Sequence, residues 1–504
     1  MSTSPHADGT PGTPADAVSS AAPADAGPGI PAPAAATEDA PAGTTAPAAG
    51  HVPSDLGTGL KQRHLTMIAL GGVIGAGLFV GSGAGIAAAG PGIVLAYAVS
   101  GVLVMLVMRM LGEMSAAHPA SGSFSVHAER ALGPWAGLTS GWMYWTLLGV
   151  AIAAEAIGAS QIVTGWLPGT ESWMWVLLFM AVFCVTNLAA VGNFGEAEFW
   201  FAGLKVAAIT AFLALGLLAV LGLLPGTDSP GTANLTGDGD GFLPNGSDGL
   251  LVGLLASVFA YGGLENVTIA AAESENPRRG VARAVRTAMY RIAIFYVGSM
   301  LVVVALIPWD DPAVKSGPYA AALDHLGIPA AGQVMNVVVL VALLSAMNAN
   351  IYGASRMAYS LVARGQGPRF LGKLTHRVPR RAVVATCSFG FAAVLLSYRW
   401  PDTLFQWLLN MVGAAILVVW AFTAAAQLRT RRRLEREAPE LLTVRMWAYP
   451  YLTWAALAAM GAILVLMLRE PDSRTQLLTT AGLTAALSLV GLVRQHRRPG
   501  TRMT

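Results

Sequence analysis

The residues of this sequence most able to do chemistry are ionisable side chains inside long apolar segments. These are Lys205 in EFWFAGLKVAAIT, Glu155 in GVAIAAEAIGAS, Glu265 in AYGGLENVTIA and Arg356 in NANIYGASRMAYS. A charge at the centre of a bilayer costs several kcal/mol, so each one indicates a function or a fixed partner. A lysine without its hydration releases its proton more readily. We predict that Lys205, Glu265 and Glu155 carry protons; ion pairs that only join helices are the alternative.

Two glycine-rich stretches interrupt apolar segments that are long enough to span a bilayer. The first is HLTMIALGGVIGAGLFVGSG at 64–83, and the second is SVFAYGGLENVTIAAAES at 257–274, where Gly262 and Gly263 precede Glu265. Glycine is about 1 kcal/mol worse than alanine in a helix, and a spanning segment must satisfy its backbone internally. We predict that both helices break where their open backbone lines a wet, protein-walled cavity. Glycines that only permit close helix packing are the alternative.

The elements that must position these residues are membrane-spanning helices. Hydrophobic residues make up 54% of the 504 residues and charged residues 12%, against about 25% charged in a soluble domain. Repeated apolar runs of about 18 residues or more indicate an all-α polytopic membrane protein. We predict twelve spans, near 65–88, 90–111, 134–166, 172–192, 199–224, 248–271, 287–308, 332–361, 382–398, 402–427, 448–468 and 475–493.

The loops predict the orientation of these spans. Arginine and lysine concentrate at 278–286, 364–381, 429–445 and 494–502, whereas the loop at 225–247 has aspartates and no basic residue. The positive-inside rule therefore places both termini in the cytoplasm. Residues 1–58 are rich in Ala, Pro, Gly, Ser and Thr and cannot bury a core, so we predict a disordered cytoplasmic tail. The membrane domain then covers 59–493, and 494–504 form a cytoplasmic C-terminal tail.

The two glycine-rich spans are the first and the sixth, and they lie five spans apart. Five is odd, so they enter the membrane from opposite sides. This predicts two inverted five-helix repeats at 65–224 and 248–427, followed by two extra helices at 448–493. Interrupted helices at matching positions of two such halves indicate a binding site near the bilayer midplane.

At these residues the chain resembles a known family. It is similar to the amino acid transporter family of the amino acid–polyamine–organocation superfamily and, within it, to bacterial γ-aminobutyrate permeases. The resemblance runs from about Leu60 to Leu468. It is carried by LKQRHLTMIALGGVIGAGLFVGSG, GEAEFWFAGLKV, VTIAAAESENPRRGVARAV, RIAIFYVGSMLVVVALIPW and ASRMAYSLVARG.

The resemblance implies a leucine-transporter-type fold and proton-coupled uptake of γ-aminobutyrate or a related small zwitterionic amino acid across the plasma membrane. The implied partners are this amino acid, protons and the lipid bilayer, with no cofactor, metal or nucleic acid. The backbone amides that would receive the substrate carboxylate are those of Ile74, Gly75, Ala76 and Gly77. Such a half-helix N-terminus has free N–H donors and partial positive charge. The residues that would hold the ammonium at the second break are Phe259, Ala260, Tyr261 and Gly263.

Two further points follow from the resemblance. Lys205 matches the fifth-span lysine of the family, whose ammonium takes the place of a sodium ion in related folds. Ala76 stands where many relatives have Thr or Ser, so one hydroxyl contact to the substrate is missing.

Other functions fit the same sequence less well. An amino acid exchanger of the same fold, without net proton flow, is the main alternative. An amino acid sensor that binds without transport would need a signalling domain, which neither tail supplies. A membrane enzyme is not expected, because no metal-ligand cluster, nucleophile elbow or phosphate-binding loop stands in the sequence.

Overall fold

The structure is a computed structural model that describes residues 74–118, 123–189, 194–225, 229–231, 233–236, 241–264, 277–375, 378–401 and 403–497. The described elements are almost all helical, with one isolated bridge between Thr375 and Val378. In chain order the α-helices are α1 Ala76–Phe79, α2 Gly81–Ala89, α3 Ile93–Ala117, α4 Ser123–Leu132, α5 Pro134–Trp166, α6 Ser172–Ala189, α7 Phe194–Val220, α8 Ala233–Thr236, α9 Gly246–Ala260, α10 Pro277–Arg291, α11 Gly298–Leu306, α12 Pro312–Ser316, α13 Pro318–His325, α14 Ala331–Ala363, α15 Arg380–Arg399, α16 Leu404–Glu437, α17 Tyr451–Met467 and α18 Pro471–Arg497. A π-helical turn at Ile292–Val297 joins α10 to α11.

Helices α1 and α2 form the described part of the first predicted span. Helix α1 begins at Ala76 with Gly75 as its N-cap residue, and α2 begins at Gly81. Helix α2 ends at Ala89, and its C-cap residue Gly90 has a φ of 60°, which favours glycine. A short 3-10 turn at Gly90–Gly92 then leads into α3. Helix α1 therefore begins with open backbone next to Gly75, and a glycine turn follows α2.

Helix α9 is the described part of the sixth predicted span, and it stops in mid-segment. It ends at Ala260, and a turn at 261–264 follows. Gly263 has a φ of 93°, a left-handed backbone conformation that a residue with a Cβ rarely adopts. The helix thus ends just before Gly262 and Gly263, the two glycines from which the break was predicted.

Two long helices form the centre of the bundle. Helices α5 and α14 each have 33 residues, or about 50 Å of helix, against about 30 Å of hydrocarbon in a bilayer. They pack against each other, and α16 packs against α5. Both are therefore long enough to tilt or to project from the membrane.

Several helices are apolar and long enough to cross a membrane. Among the described residues there are nine, and Gly246–Ala260 and Tyr451–Met467 are shorter apolar helices. One of the nine, Ala76–Ala117, contains the Gly90–Gly92 turn and covers two of the predicted spans. The count of twelve spans stays a prediction.

Helix α16 extends beyond its predicted end at 427 and continues to Glu437. Ion pairs one turn apart, Arg431 with Glu435 and Arg433 with Glu437, join side chains along this extension. Each such pair stabilises a helix by about 0.2–0.5 kcal/mol. The hydropathy pattern ends where the apolar residues end, so it could not show that the helix continues.

A buried carboxylate fixes the basic end of the bundle. Glu113 of α3 forms an ion pair with Arg431 of α16 and accepts hydrogen bonds from Gln427 Nε2 at 2.8 Å and from the Met446 amide at 2.6 Å. Gln427 in turn accepts from Thr453 of α17 at 3.0 Å. One side chain therefore joins α3, α16 and the segment that leads to α17.

Candidate functional site

A cavity lies between the two helix breaks. From the breaks it is lined by Gly77, Phe259, Ala260, Gly262 and Gly263. From the long helices α5, α14 and α16 it is lined by Leu147, Leu148, Ala151, Glu155, Ala346, Asn350 and Val412. Its volume of about 40 Å³ is room for a few water molecules. A whole amino acid would therefore require the walls to move apart.

Glycine allows the two breaks to approach each other. A Cβ at Gly77 would lie 2.6 Å from Ala260 Cα and 2.9 Å from Phe259 Cδ1. A Cβ at Gly75 would collide with the Glu155 carboxylate and lie 3.0 Å from Ala346 Cβ. Both positions thus serve close packing, which was the alternative interpretation, and at the same time leave backbone open beside the cavity.

The open amide at the start of α1 has a carboxylate partner. Ala76 N donates a hydrogen bond of 2.9 Å to Glu155 Oε2, and both residues are buried. Ala76 is the first residue of α1, so its N–H has no acceptor within the helix. A carboxylate at a helix N-terminus is stabilised by the free donor and by the helix dipole. The predicted carboxylate-binding amide therefore holds a carboxylate of the protein itself.

Lys205 belongs to a buried polar cluster on α7. Its Nζ lies 4.0 Å from Glu198 Oε1, and both side chains are 0% exposed. Ser345 Oγ of α14 donates to both carboxylate oxygens of Glu198, at 3.0 and 2.9 Å. Lys205 also interacts electrostatically with Glu155. The lysine thus connects α7 to α14 and, through charge, to the first break.

Glu198 is the member of this cluster that the sequence interpretation missed. It lies one residue before the predicted start of the fifth span at 199, whereas α7 begins at Phe194. Its distance of seven residues from Lys205 is two helical turns, which places both on one face. That spacing, within GEAEFWFAGLK, is the feature of the sequence that could have indicated Glu198 as a partner of Lys205.

The second break lines the cavity with its backbone, whereas the side chain of Tyr261 points away from the cavity. The Phe259 carbonyl accepts from Gly262 N at 2.9 Å, and the Tyr261 carbonyl accepts from Leu264 N at 3.3 Å. Tyr261 Oη donates to the Tyr97 carbonyl of α3 at 2.8 Å. Each carbonyl oxygen has a second lone pair with which it can accept another donor.

The structure brings together most of the residues predicted for the site. Those that line the cavity are Gly77, Phe259, Ala260, Gly263 and Glu155. Ala76 contacts Glu155 directly, and Gly75 packs next to it, whereas the side chain of Tyr261 points to α3. Ile74 is buried next to the break. Glu265 lies outside the described residues.

Arg356 is not among the residues that line this cavity. The Arg356 guanidinium stacks on the Tyr352 ring one turn earlier in α14, with 3.1 Å from Cζ to the ring centroid. This contact fits the structural interpretation of Arg356.

In the described ranges, no three His, Cys, Asp or Glu side chains come together as a metal site would require.

The family model "Amino acid permease" matches residues 64–493. The γ-aminobutyric acid permease of Bacillus subtilis (strain 168) is 45% identical over 440 residues, covering 87% of this chain and 94% of that protein. The aromatic amino acid transport protein AroP of Corynebacterium glutamicum is 47% identical over 444 residues, covering 87% and 95%.

A solved structure shows the same fold. A manganese transporter from Eremococcus coleocola matches with a TM-score of 0.52 at 15% identity, covering 85% of this chain and 93% of that one. This confirms the predicted fold class, an all-α polytopic membrane protein of the leucine-transporter type. The predicted general activity, amino acid transport by a membrane permease, is confirmed by the family match.

Proposed function

Since this chain belongs to the amino acid permease family, we propose that it takes up γ-aminobutyrate or a related small zwitterionic amino acid together with protons. We place it in the plasma membrane with both termini in the cytoplasm. The observation that carries the proposal is the hydrogen bond from Ala76 N to Glu155 at the edge of the cavity. It supports a site in which a carboxylate binds the open amide of a half-helix.

The two breaks provide complementary ends for a zwitterion. The amide end of α1 suits the substrate carboxylate, and the carbonyl end of α9 suits the ammonium. Gly77, Ala260 and Gly263 line the same cavity, so both ends are within reach of one small molecule. A substrate carboxylate that binds Ala76 must displace Glu155, since both need the same N–H donor.

This displacement couples binding to a proton. A Glu155 carboxylate that leaves the amide of Ala76 is left buried and charged, which costs several kcal/mol unless it takes up a proton or a new partner. The Lys205–Glu198 pair lies in the same interior and interacts electrostatically with Glu155. A proton taken up by Glu155, or by Lys205 where it starts as a neutral amine, therefore offsets this buried negative charge and stabilises the substrate-bound arrangement. Substrate and proton shift the equilibrium between bundle arrangements only to the extent that they bind one arrangement more tightly than the other.

The relatives leave the substrate between two chemical classes. Relatives from Bacillus subtilis and Escherichia coli (strain K12) are among those named for γ-aminobutyric acid, and the relative from Corynebacterium glutamicum is named for aromatic amino acids. The polar groups in the cavity walls, Glu155 and Asn350, favour a substrate with two polar ends. A phenyl ring would bring no hydrogen bond to them.

Uptake into proteoliposomes tests the proposal. The purified protein is reconstituted, and uptake of labelled γ-aminobutyrate is measured with and without an imposed inward proton gradient. We expect accumulation above the external concentration only with the gradient. Uptake that instead needs internal amino acid and ignores the gradient would establish the exchanger. Binding without any flux would establish the sensor.

A further inference from the structure

We propose that Asn350 determines which amino acid is bound, by contacting the polar group at the far end of the substrate from its carboxylate. The inference rests on the proposed function, since it takes the carboxylate to bind at the open amide of α1. It adds a side chain to a site otherwise described by backbone groups and Glu155.

Asn350 lies one helical turn beyond a residue that packs against the first break. Ala346 and Asn350 are one turn apart on α14, and both line the cavity. Ala346 packs against Gly75, next to the Glu155 carboxylate. Four residues advance a helix by about 6 Å, so the Asn350 amide is offset from the carboxylate-binding end. The four bonds from the carboxyl carbon to the nitrogen of γ-aminobutyrate span roughly 5 Å when extended.

The hydrogen bonds of α14 show that this amide is available. Ser345 donates to Glu198, and the side chain of Asn348 accepts from Asn187 Nδ2 at 2.8 Å. Within the described part of the chain, the half-buried side chain of Asn350 forms no hydrogen bond. Its neighbours in the cavity wall include the apolar Leu147 and Val412. An amide placed among apolar groups is stabilised when something in the cavity bonds to it.

A small zwitterion with a distal ammonium satisfies this amide. An ammonium has three donors and needs several acceptors. At the second break the Phe259 and Tyr261 carbonyls already accept one bond each in the turn. The Asn350 Oδ1 atom supplies a further acceptor from α14. A substrate that ends in a phenyl ring would leave the Asn350 amide without a partner, and sites built on hydrogen bonds discriminate strongly against such analogues.

The test compares substitutions at two asparagines of α14 in proteoliposomes. Uptake of labelled γ-aminobutyrate is competed with β-alanine, 5-aminovalerate, α-alanine and phenylalanine. The variants are Asn350→Leu, Asn350→Asp and the control Asn336→Leu, a half-buried asparagine of α14 outside the cavity lining. We expect Asn350→Leu to raise the half-saturating γ-aminobutyrate concentration about tenfold or more. Asn350→Asp, which keeps an acceptor, should retain the preference, and Asn336→Leu should match the unsubstituted protein.

The outcomes separate this inference from the proposed function. If the unsubstituted protein takes up γ-aminobutyrate and Asn350→Leu keeps its selectivity, the role of Asn350 is wrong and the proposed substrate stands. If the unsubstituted protein prefers phenylalanine, the proposed substrate and the role of Asn350 are both overturned. If Asn350→Leu fails to fold, judged by size-exclusion chromatography, the preference for γ-aminobutyrate over phenylalanine is measured with Asn350→Ser instead. An unchanged preference in Asn350→Ser also rejects the inference.

Discussion

The carboxylate of Glu155 accepts a hydrogen bond of 2.9 Å from the backbone amide of Ala76. The two residues are 79 positions apart in sequence, and they meet because α5 passes the open N-terminus of α1. The carboxylate occupies the kind of donor that a substrate carboxylate needs. This contact connects the charge state of Glu155 with the occupancy of the proposed site, and it leads to the first prediction.

Glu155→Gln should separate binding from proton coupling. The glutamine carbonyl oxygen can still accept from Ala76 N, but the side chain no longer takes up a proton. We expect accumulation driven by a pH gradient to fall about tenfold or more, while exchange of internal for external substrate continues. Counterflow and gradient-driven uptake in the same vesicles measure the two activities. Glu171→Gln, at an exposed position, is the control. Gradient-driven accumulation at the unsubstituted level would show that Glu155 is structural.

Lys205→Met should abolish pH-driven accumulation while substrate binding survives. Methionine keeps most of the volume and removes the titratable ammonium. It also leaves Glu198 without the ammonium 4.0 Å away, and breaking a buried pair costs about 3–5 kcal/mol. We therefore expect a lower apparent Tm for Lys205→Met, which the additional change Glu198→Gln restores in part.

Two outcomes would contradict the proposed role of Lys205 or its pairing with Glu198. A Lys205→Met protein that still concentrates substrate with the unsubstituted pH dependence would make Lys205 structural. Glu265 would then take over the proposed role. Equal Tm values for the single and double variants would show that Glu198 and Lys205 do not interact.

Substitution of the break glycines should abolish transport without preventing membrane insertion. A Cβ at Gly77 meets the backbone of Ala260 at 2.6 Å, and Gly263 has a left-handed φ. We expect uptake by Gly77→Ala, and by the larger changes Gly75→Leu and Gly263→Leu, to drop below detection. The control is Gly461→Ala in α17, where a Cβ meets nothing within 4 Å; it should be neutral or stabilising by up to about 1 kcal/mol. Wild-type affinity and rate in any break variant would refute the broken-helix role of that glycine.

Labelling of introduced cysteines tests the proposed orientation. Ser229 lies in the loop at 225–247 and Arg433 on the extension of α16, and both are exposed. The native Cys184 and Cys387 are buried, so their background should be low. A membrane-impermeant maleimide should label Ser229→Cys in intact cells and Arg433→Cys only after permeabilisation. The reverse pattern would invert the topology.

His127 should make the stability of the protein depend on pH. Its ring is buried in α4, with Nε2 3.2 Å from Ser115 Oγ. Burial, followed by the charges of Arg130 and His118, lowers the pKa of His127 from 6.5 to about 3. The folded-state pKa is thus below the unfolded one, so the unfolded chain binds the extra proton between these values. The stabilisation is present above about pH 6.5 and is lost as the pH falls, by at most about 1.4 kcal/mol per unit.

Thermal unfolding in detergent between pH 7.5 and 5 checks this expectation. The apparent Tm of the unsubstituted protein should fall toward pH 5 more steeply than that of His127→Gln, which cannot take up the proton. His496→Gln, at an exposed position in α18, is the control. Parallel pH profiles for the unsubstituted protein and His127→Gln would mean that folding does not lower the pKa of His127.

The sequence alone determined the class of fold and predicted where along the chain the candidate site lies. Long apolar runs require membrane helices because a bilayer leaves no other partner for the backbone. Gly75 to Gly77 and Gly262 to Gly263 predicted breaks because glycine weakens a helix locally, and the described helices begin and end beside them. These properties depend on neighbouring residues, so a single sequence carries them.

Only the tertiary structure decided which side chains meet at the site. Glu155 reaches Ala76, Glu198 lies beside Lys205 and receives Ser345, and Asn350 turns to the cavity. Each of these relationships joins separate helices or depends on which face of a helix packs inward. Helix rotation and crossing are set by the fit of many side chains at once, and the spacing of residues within one segment does not contain that information.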